Sequence, residues 1–180
     1  MFSLRFLLVF LAAVLLSGIA RAQEPQTVDH WFMRQHDSFT IDLADAKVTF
    51  RELPARSEGY SIAVRSYNVS YKQGSLSILH DTYDARRCGE DNKPPVDPLE
   101  NIKAQFANTR KENILLSDKT SGYGDIRQLI YQTPAKGTLI YKQFLGCSHL
   151  YLLSGQTSAP ATDTGDPVIR AIDSFMLHDK

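Results

Sequence analysis

The sequence predicts an α+β fold, an antiparallel β-sheet with flanking α-helices. Three observations lead to it. Short runs with apolar residues at alternate positions recur between turn signals about ten residues apart, which is the rhythm of strands. Two stretches open on Asp-Pro, at Asp97-Pro98 and Asp166-Pro167, and continue with apolar residues at helical spacing. With its N-terminal segment set aside, the 180-residue chain has the size of one domain.

That segment, Met1–Ala22, places Arg5 ahead of the apolar run Phe6–Leu16 and ends on Ala20-Arg21-Ala22. The order is that of a secretory signal peptide with cleavage after Ala22. A membrane anchor is the alternative, but the run is shorter than the roughly 20 residues that cross a bilayer. No cysteine lies near the cleavage point, so no lipid anchor is indicated. The expected mature chain, residues 23–180, is therefore periplasmic or secreted, with no stable membrane anchor. A chain of that length can bury about 70% of its unfolded surface and needs no metal to fold. Twenty basic residues balance twenty acidic ones, and losing Arg5 and Arg21 tips the mature chain slightly acidic. Nucleic acid and anionic membrane surfaces are not expected partners.

In chain order, Gln23–Asp37 is polar around Trp31-Phe32 and reads as a short helix or an extended arm. Ser38–Leu43 is a clean strand with Phe39, Ile41 and Leu43 inward and Ser38, Thr40 and Asp42 outward. Lys47–Leu53 repeats the pattern through Val48 and Phe50, with Ala44–Ala46 as the connection. Tyr60–Tyr71 and Ser75–Tyr83 form a hairpin around Lys72-Gln73-Gly74. The parity of Ile62, Val64, Tyr67 and Val69 shifts within it, implying a bulge or a strand that uses both faces. Asn68-Val69-Ser70 fits a glycosylation sequon, a match that matters only in a eukaryotic host.

Ala85–Pro95 is a charged, loop-like run, and a helix follows it. Asp97 caps that helix, Glu100 completes a box-like start, and Leu99, Ile102 and Phe106 form its apolar stripe to about Asn113. Ile126–Ser154 is then an antiparallel meander of three strands. Its first run mixes apolar and polar residues on both faces, so both faces are partly covered. Pro134–Gly137 turns the chain into Thr138–Leu145, and Gly146 breaks it before His149–Ser154. Gly155–Asp166 is a small-residue loop. The last helix opens at Asp166 with Val168, Ile172, Phe175 and Met176 as the stripe that lies on the sheet.

This order is similar to that of the PsbP-like family, carried by Ser38–Phe50, the Tyr60–Tyr83 hairpin, and His149–Ser154 with Ile169–Leu177. The resemblance implies an α+β sandwich. Its members include photosystem subunits, a nuclear-transport factor and many proteins of no known activity. It carries over no functional residue.

Chemistry is sparse in the sequence. Gly146-Cys147-Ser148-His149 is the one hint of a nucleophile, but neighbouring residues on a strand point apart, so Ser148 and His149 are no dyad. His80, Asp81 and Asp84 lie close in sequence, yet Asp81 faces away from the other two along a strand, and no metal site or cofactor is expected. The expected function is a non-catalytic exported protein that binds a protein partner or small ligand through loops or a sheet face. The alternative is a hydrolase or metal-assisted enzyme assembled around His149, His80 and Asp84. Cys88 and Cys147 are the only cysteines of an exported chain and are expected to form a disulfide, with two buried free thiols as the alternative. That bond would bring Arg86, Arg87 and His149 together as a contact for an anionic ligand or acidic partner, against solvated pairing of both arginines with Glu90 and Asp91. Thiol titration of non-reduced, denatured protein should find no free thiol; two per molecule would refute the bond.

Overall fold

The computed structural model describes residues 26–28, 31–34, 39–43, 46–53, 61–83, 97–121, 126–146 and 149–178. In chain order the elements open with β1 (Gln26–Val28), β2 (Trp31–Arg34), β3 (Phe39–Asp42), β4 (Ala46–Leu53), β5 (Ser61–Ser70) and β6 (Gly74–Tyr83). Then come α1 (Pro98–Thr109), β7 (Ile114–Ser121), β8 (Ile126–Gln132), β9 (Thr138–Leu145), β10 (His149–Thr157), α2 (Pro167–Ser174) and β11 (Met176–Leu177). The architecture is α+β, as the alternation predicts. Among the described residues the strands make an eight-stranded antiparallel sheet, β1-β4-β5-β6-β10-β9-β8-β7, and a three-stranded one, β11-β3-β2.

Mixed strands need cover on both faces, and the sheet has it. On one face Tyr67, Val69, Leu76, Ile78, Ile140 and Leu153 pack against Phe39 and Ile41 of β3 and against Val168, Ala171 and Ile172 of α2. On the other, Leu99 and Phe106 of α1 bury Leu129, Tyr131 and Leu139, with Ile102, Tyr141 and Leu152 at the margin. The parity shift in β5 has both expected causes. Its register slips between Ser61 and Ala63, and Val64 is buried on the face opposite Tyr67 and Val69.

Both aspartates cap as expected, but unequally. Asp97 Oδ1 accepts from Leu99 N at 2.9 Å and Glu100 N at 3.4 Å, and the residue is half-buried. Asp166 is 1% exposed. Its Oδ1 accepts from Val168 N at 2.9 Å and Ile169 N at 3.2 Å, while Oδ2 accepts from the Thr157 hydroxyl at 2.8 Å. At the other end of α2, Lys142 Nζ donates to Ile172 O at 3.2 Å and lies over the Phe144 ring, and burial lowers its pKa.

Several boundaries differ from expectation, each for a local reason. The first apolar run, Phe39–Asp42, belongs to the small sheet rather than to the same sheet as the meander. Ala46, expected in a connection, is a buried strand residue. Helix α1 stops at Thr109 rather than near Asn113, because Asn113 turns back and bonds Arg110 O through both its backbone N and its side chain. Strand β7 was not expected. Leu116 is the extra residue of a bulge between Leu115 and Ser117, which destroys the alternation that marks a strand. Glu100 directs its carboxylate to Arg127 instead of completing a capping box.

The strand β10 runs on through Gly155 to Thr157, a stretch expected to be loop. Gly155 is small because α2 crosses it: a Cβ there would stand 2.5 Å from Ile172 Cδ1 and 2.9 Å from Val168 Cγ1. Phe175 is buried as expected, but the backbone turns extended there, and Met176 enters β11 at 52% exposure instead of joining the stripe. In the β8–β9 turn the left-handed residue is Lys136, with φ 62°, whereas Gly137 is required by the Thr157 carbonyl, 2.6 Å from where a Cβ would be.

These contacts rank the two caps. Asp97→Ala should cost about 1 kcal/mol and Asp166→Ala about 2, since the latter also strands the Thr157 hydroxyl. Gly155→Ala should cost roughly 1–3 kcal/mol by overpacking. Urea midpoints test both, and a Gly155→Ala protein as stable as its parent would show that α2 does not sit on that glycine.

Candidate functional site

The register aligns side chains into rows across the large sheet. One row on the α2 face runs Glu52, Arg65, His80, Tyr151, Phe144 and Ile126. Arg65 Nε lies 3.6 Å from Glu52 Oε1. The buried His80 ring stacks on Tyr151, with centroids 4.2 Å apart and planes within 8°. His80 Nε2 and Nδ1 of the exposed His149 are 3.0 Å apart. For these nitrogens to bond, one must donate and the other accept, so at least one ring is neutral while the bond holds.

Of the residues the sequence proposes, the structure thus brings His80 and His149 together from strands 69 positions apart in the chain. Asp81 faces away on the opposite side of β6, as expected, and is buried. Asp84, Arg86, Arg87, Cys88, Cys147 and Ser148 lie outside the described residues. Among the described residues no group of three or more His, Cys, Asp or Glu side chains could hold a metal ion.

A second feature was invisible in the sequence. Helix α1 packs on strands β8 to β10 on its face. Among the described residues no helix lies over the β4–β6 side, which is exposed toward the β5–β6 turn, while Val64, Ser66 and Asp81 are buried toward its other end. Three rows cross this open side: Lys47, Ser70, Ser75, Gln156; Thr49, Asn68, Ser77, Ser154; and Arg51, Ser66, Leu79, Leu152. Lys47, Arg51, Asn68, Ser70, Ser75 and Gln156 are exposed, and Thr49, Ser77 and Ser154 half-buried. These three rows contain no acid, but the next row on the same face, Leu53, Val64, Asp81 and Leu150, carries the buried Asp81. The sequence missed this because alternation registers apolar positions, whereas the polar partners meet only once strand register is known.

At the first row the face continues into an open groove of about 810 Å³ between the β5–β6 turn and the loop before α2. Lys47, Ser70, Tyr71, Lys72, Gln73 and Asp163 contribute to its lining. Burial, together with Asp42 and Asp166, pushes the Tyr71 pKa up, and its hydroxyl has no hydrogen-bond partner among the described residues. The groove lies at the opposite end of β5 and β6 from His80.

The boundary of the open face depends on how α1 is held. Arg127 grips Asp118 with a two-pronged bond, Nε to Oδ1 at 3.0 Å and NH2 to Oδ2 at 2.9 Å, and its remaining amine meets Glu100. Lys103 of α1 donates to Asp118 Oδ2 at 2.6 Å. Arg127 first and Lys103 second hold the Asp118 carboxyl down at about 2. A carboxyl depressed on folding stabilises above its unfolded value near 4 and loses that contribution as pH falls through about 2. Unfolding measured from pH 5 to pH 2 should therefore show a steeper loss of stability in the parent than in Asp118→Asn. Equal slopes would mean that the cluster does not hold α1 in solution.

Among the described residues no helix is long and apolar enough to cross a membrane. No family model matches the chain. No curated protein matches it either. Among solved structures, it is similar to the solution structure of cyanobacterial PsbP (CyanoP) from Synechocystis sp. PCC 6803, with a TM-score of 0.48 and 13% identity over 90% of this chain and 95% of that one. At that score the likeness carries no conclusion about activity or partners, and the α+β class rests on the sheets and helices themselves.

Proposed function

We propose that this chain is an exported, non-catalytic binding protein that contacts its partner or ligand through the open side of the large sheet. The observation behind this reading is the composition of the three rows. Of twelve positions, eight are Ser, Thr, Asn or Gln, two are Lys or Arg, two are Leu and none is acidic. Both charged positions of these rows are exposed cations, and the acid of the next row, Asp81, is buried. Export is supported by the Met1–Ala22 pattern, and the contact formed by Arg86, Arg87 and His149 remains part of the proposal at the far end of the sheet. The His80–His149 contact favours a second reading, a hydrolytic or metal-assisted site built around His149, His80 and Asp84.

Amide spectra of the mature chain, recorded with and without soluble envelope extract, separate these readings. The binding reading expects shifts concentrated at Thr49, Asn68, Ser77 and Ser154. Shifts confined to His80, His149 and Tyr151 would sink it in favour of the second, and an unchanged spectrum would count against both.

A further inference from the structure

We infer that the open sheet face takes an acidic polysaccharide, a chain of sugars carrying carboxylate groups. This rests on the reading that the face is the contact surface, and it adds the class of ligand. The first support is hydrogen-bonding capacity. Ser and Thr hydroxyls donate and accept, and the amides of Asn68 and Gln156 do both at once. Such a surface matches a polyol, whose hydroxyls also do both, better than it matches a ligand of one hydrogen-bonding sense.

The second support is charge. Lys47 and Arg51 stand on the β4 side of the rows. Arg110 approaches the opposite margin, lying over the Phe106 ring and close enough to Tyr141 to influence it, while Tyr141 pairs in register with Ser154. Cations thus flank a neutral hydroxyl-rich strip on both sides. A strip of sugar hydroxyls with carboxylates at its edges is the complementary arrangement, and arginine suits the planar carboxylate.

The third support is what the face lacks. Protein interfaces centre on buried aromatic or apolar anchors, and the centre here is Asn68 and Ser77. Polybasic membrane contacts gather about four to eight cations, and nucleic-acid grooves answer a phosphate at every step; three cations do neither. The array is also of a suitable size. Four strands about 4.8 Å apart, with same-face residues about 6.7 Å apart along each, give a plane of roughly 14 by 13 Å, enough for a short run of sugar rings.

The test is calorimetric titration of the mature chain with oligogalacturonate, against neutral maltohexaose, polyglutamate, duplex DNA and anionic phosphatidylglycerol vesicles. Oligogalacturonate alone should bind, and raising salt from about 50 to about 500 mM should weaken it several-fold. Lys47→Ala with Arg51→Ala should reduce affinity about ten-fold or more, as should Asn68→Ala with Ser77→Ala. Lys119→Ala on the exposed edge strand β7 should change nothing, and circular dichroism melts should show that all variants stay folded. Oligogalacturonate that fails to bind, or binds the variants as it binds the parent, overturns the inference. So does equal binding of polyglutamate, vesicles or DNA, which would reduce the face to a charge. If envelope extract shifts the face amides while oligogalacturonate does not bind, the ligand class falls and the contact surface stands. If neither acts on these rows, both fall.

Discussion

The buried carboxylate of Asp166 sets the layout of the molecule. It spends one oxygen on the first two amides of α2 and the other on the Thr157 hydroxyl at the end of β10. One side chain thereby fixes the start of the helix to the end of a central strand, in a place too dry for water to substitute. From that anchor α2 must run across Gly155, the one position of β10 where its Val168 and Ile172 can come so near. Phe175 then arrives against Phe39, Phe144 and Tyr151, and the chain passes directly into β11 beside β3. The small sheet is thus tied to the large one by the same helix that closes the core.

Among the described residues, one helix and three strands lie on a single face of the large sheet, and α1 on the other. Its apolar residues Leu99, Ile102 and Phe106 reach the β8–β10 strands and no further. Arg127 explains why it stays there. The guanidinium joins the first turn of α1, through Glu100, to Asp118 on the edge strand, so the helix is drawn toward β7 and away from β4. Among the described residues, the exposed part of this face therefore follows from where α1 is placed. Its polar rows are what a sheet must carry where no helix covers it; their two exposed charges are both positive, and Asp81 of the next row is buried.

Much of the fold was legible because it depends on local signals. The Asp-Pro starts, the two-faced run Ile126–Gln132, and the inward set Phe39, Ile41 and Leu43 each express a periodicity contained within a few residues. What escaped was set by contacts between distant segments. Gly155 looks like a loop residue until α2 lies on it. The β7 strand hides because a bulge at Leu116 scrambles its alternation, and its Ile114 and Leu116, 60% and 51% exposed, do not behave as core residues. His80 and His149 could be named as candidates, but their contact follows from β6–β10 register, which no local pattern fixes. The open face was less legible still, since each of its hydroxyls reads singly as an ordinary solvated position.

Charge placement joins the two halves of this description. Several ion pairs between described residues lie away from the polar rows: Asp42 answers Arg170, Glu52 answers Arg65, and Asp97, Glu100 and Asp118 converge on Arg127 and Lys103. These acids hold elements together, at α1, at α2 and on the far face of β4. With basic and acidic residues nearly balanced, the chain has little net charge to draw a ligand in from a distance. Whatever meets the rows must be held by short-range hydrogen bonds, with Lys47 and Arg51 selecting its sign at contact rather than at a distance. That division suits a long, repetitive ligand offering the same groups again and again, because a weak flat contact gains from every equivalent position at which it can form.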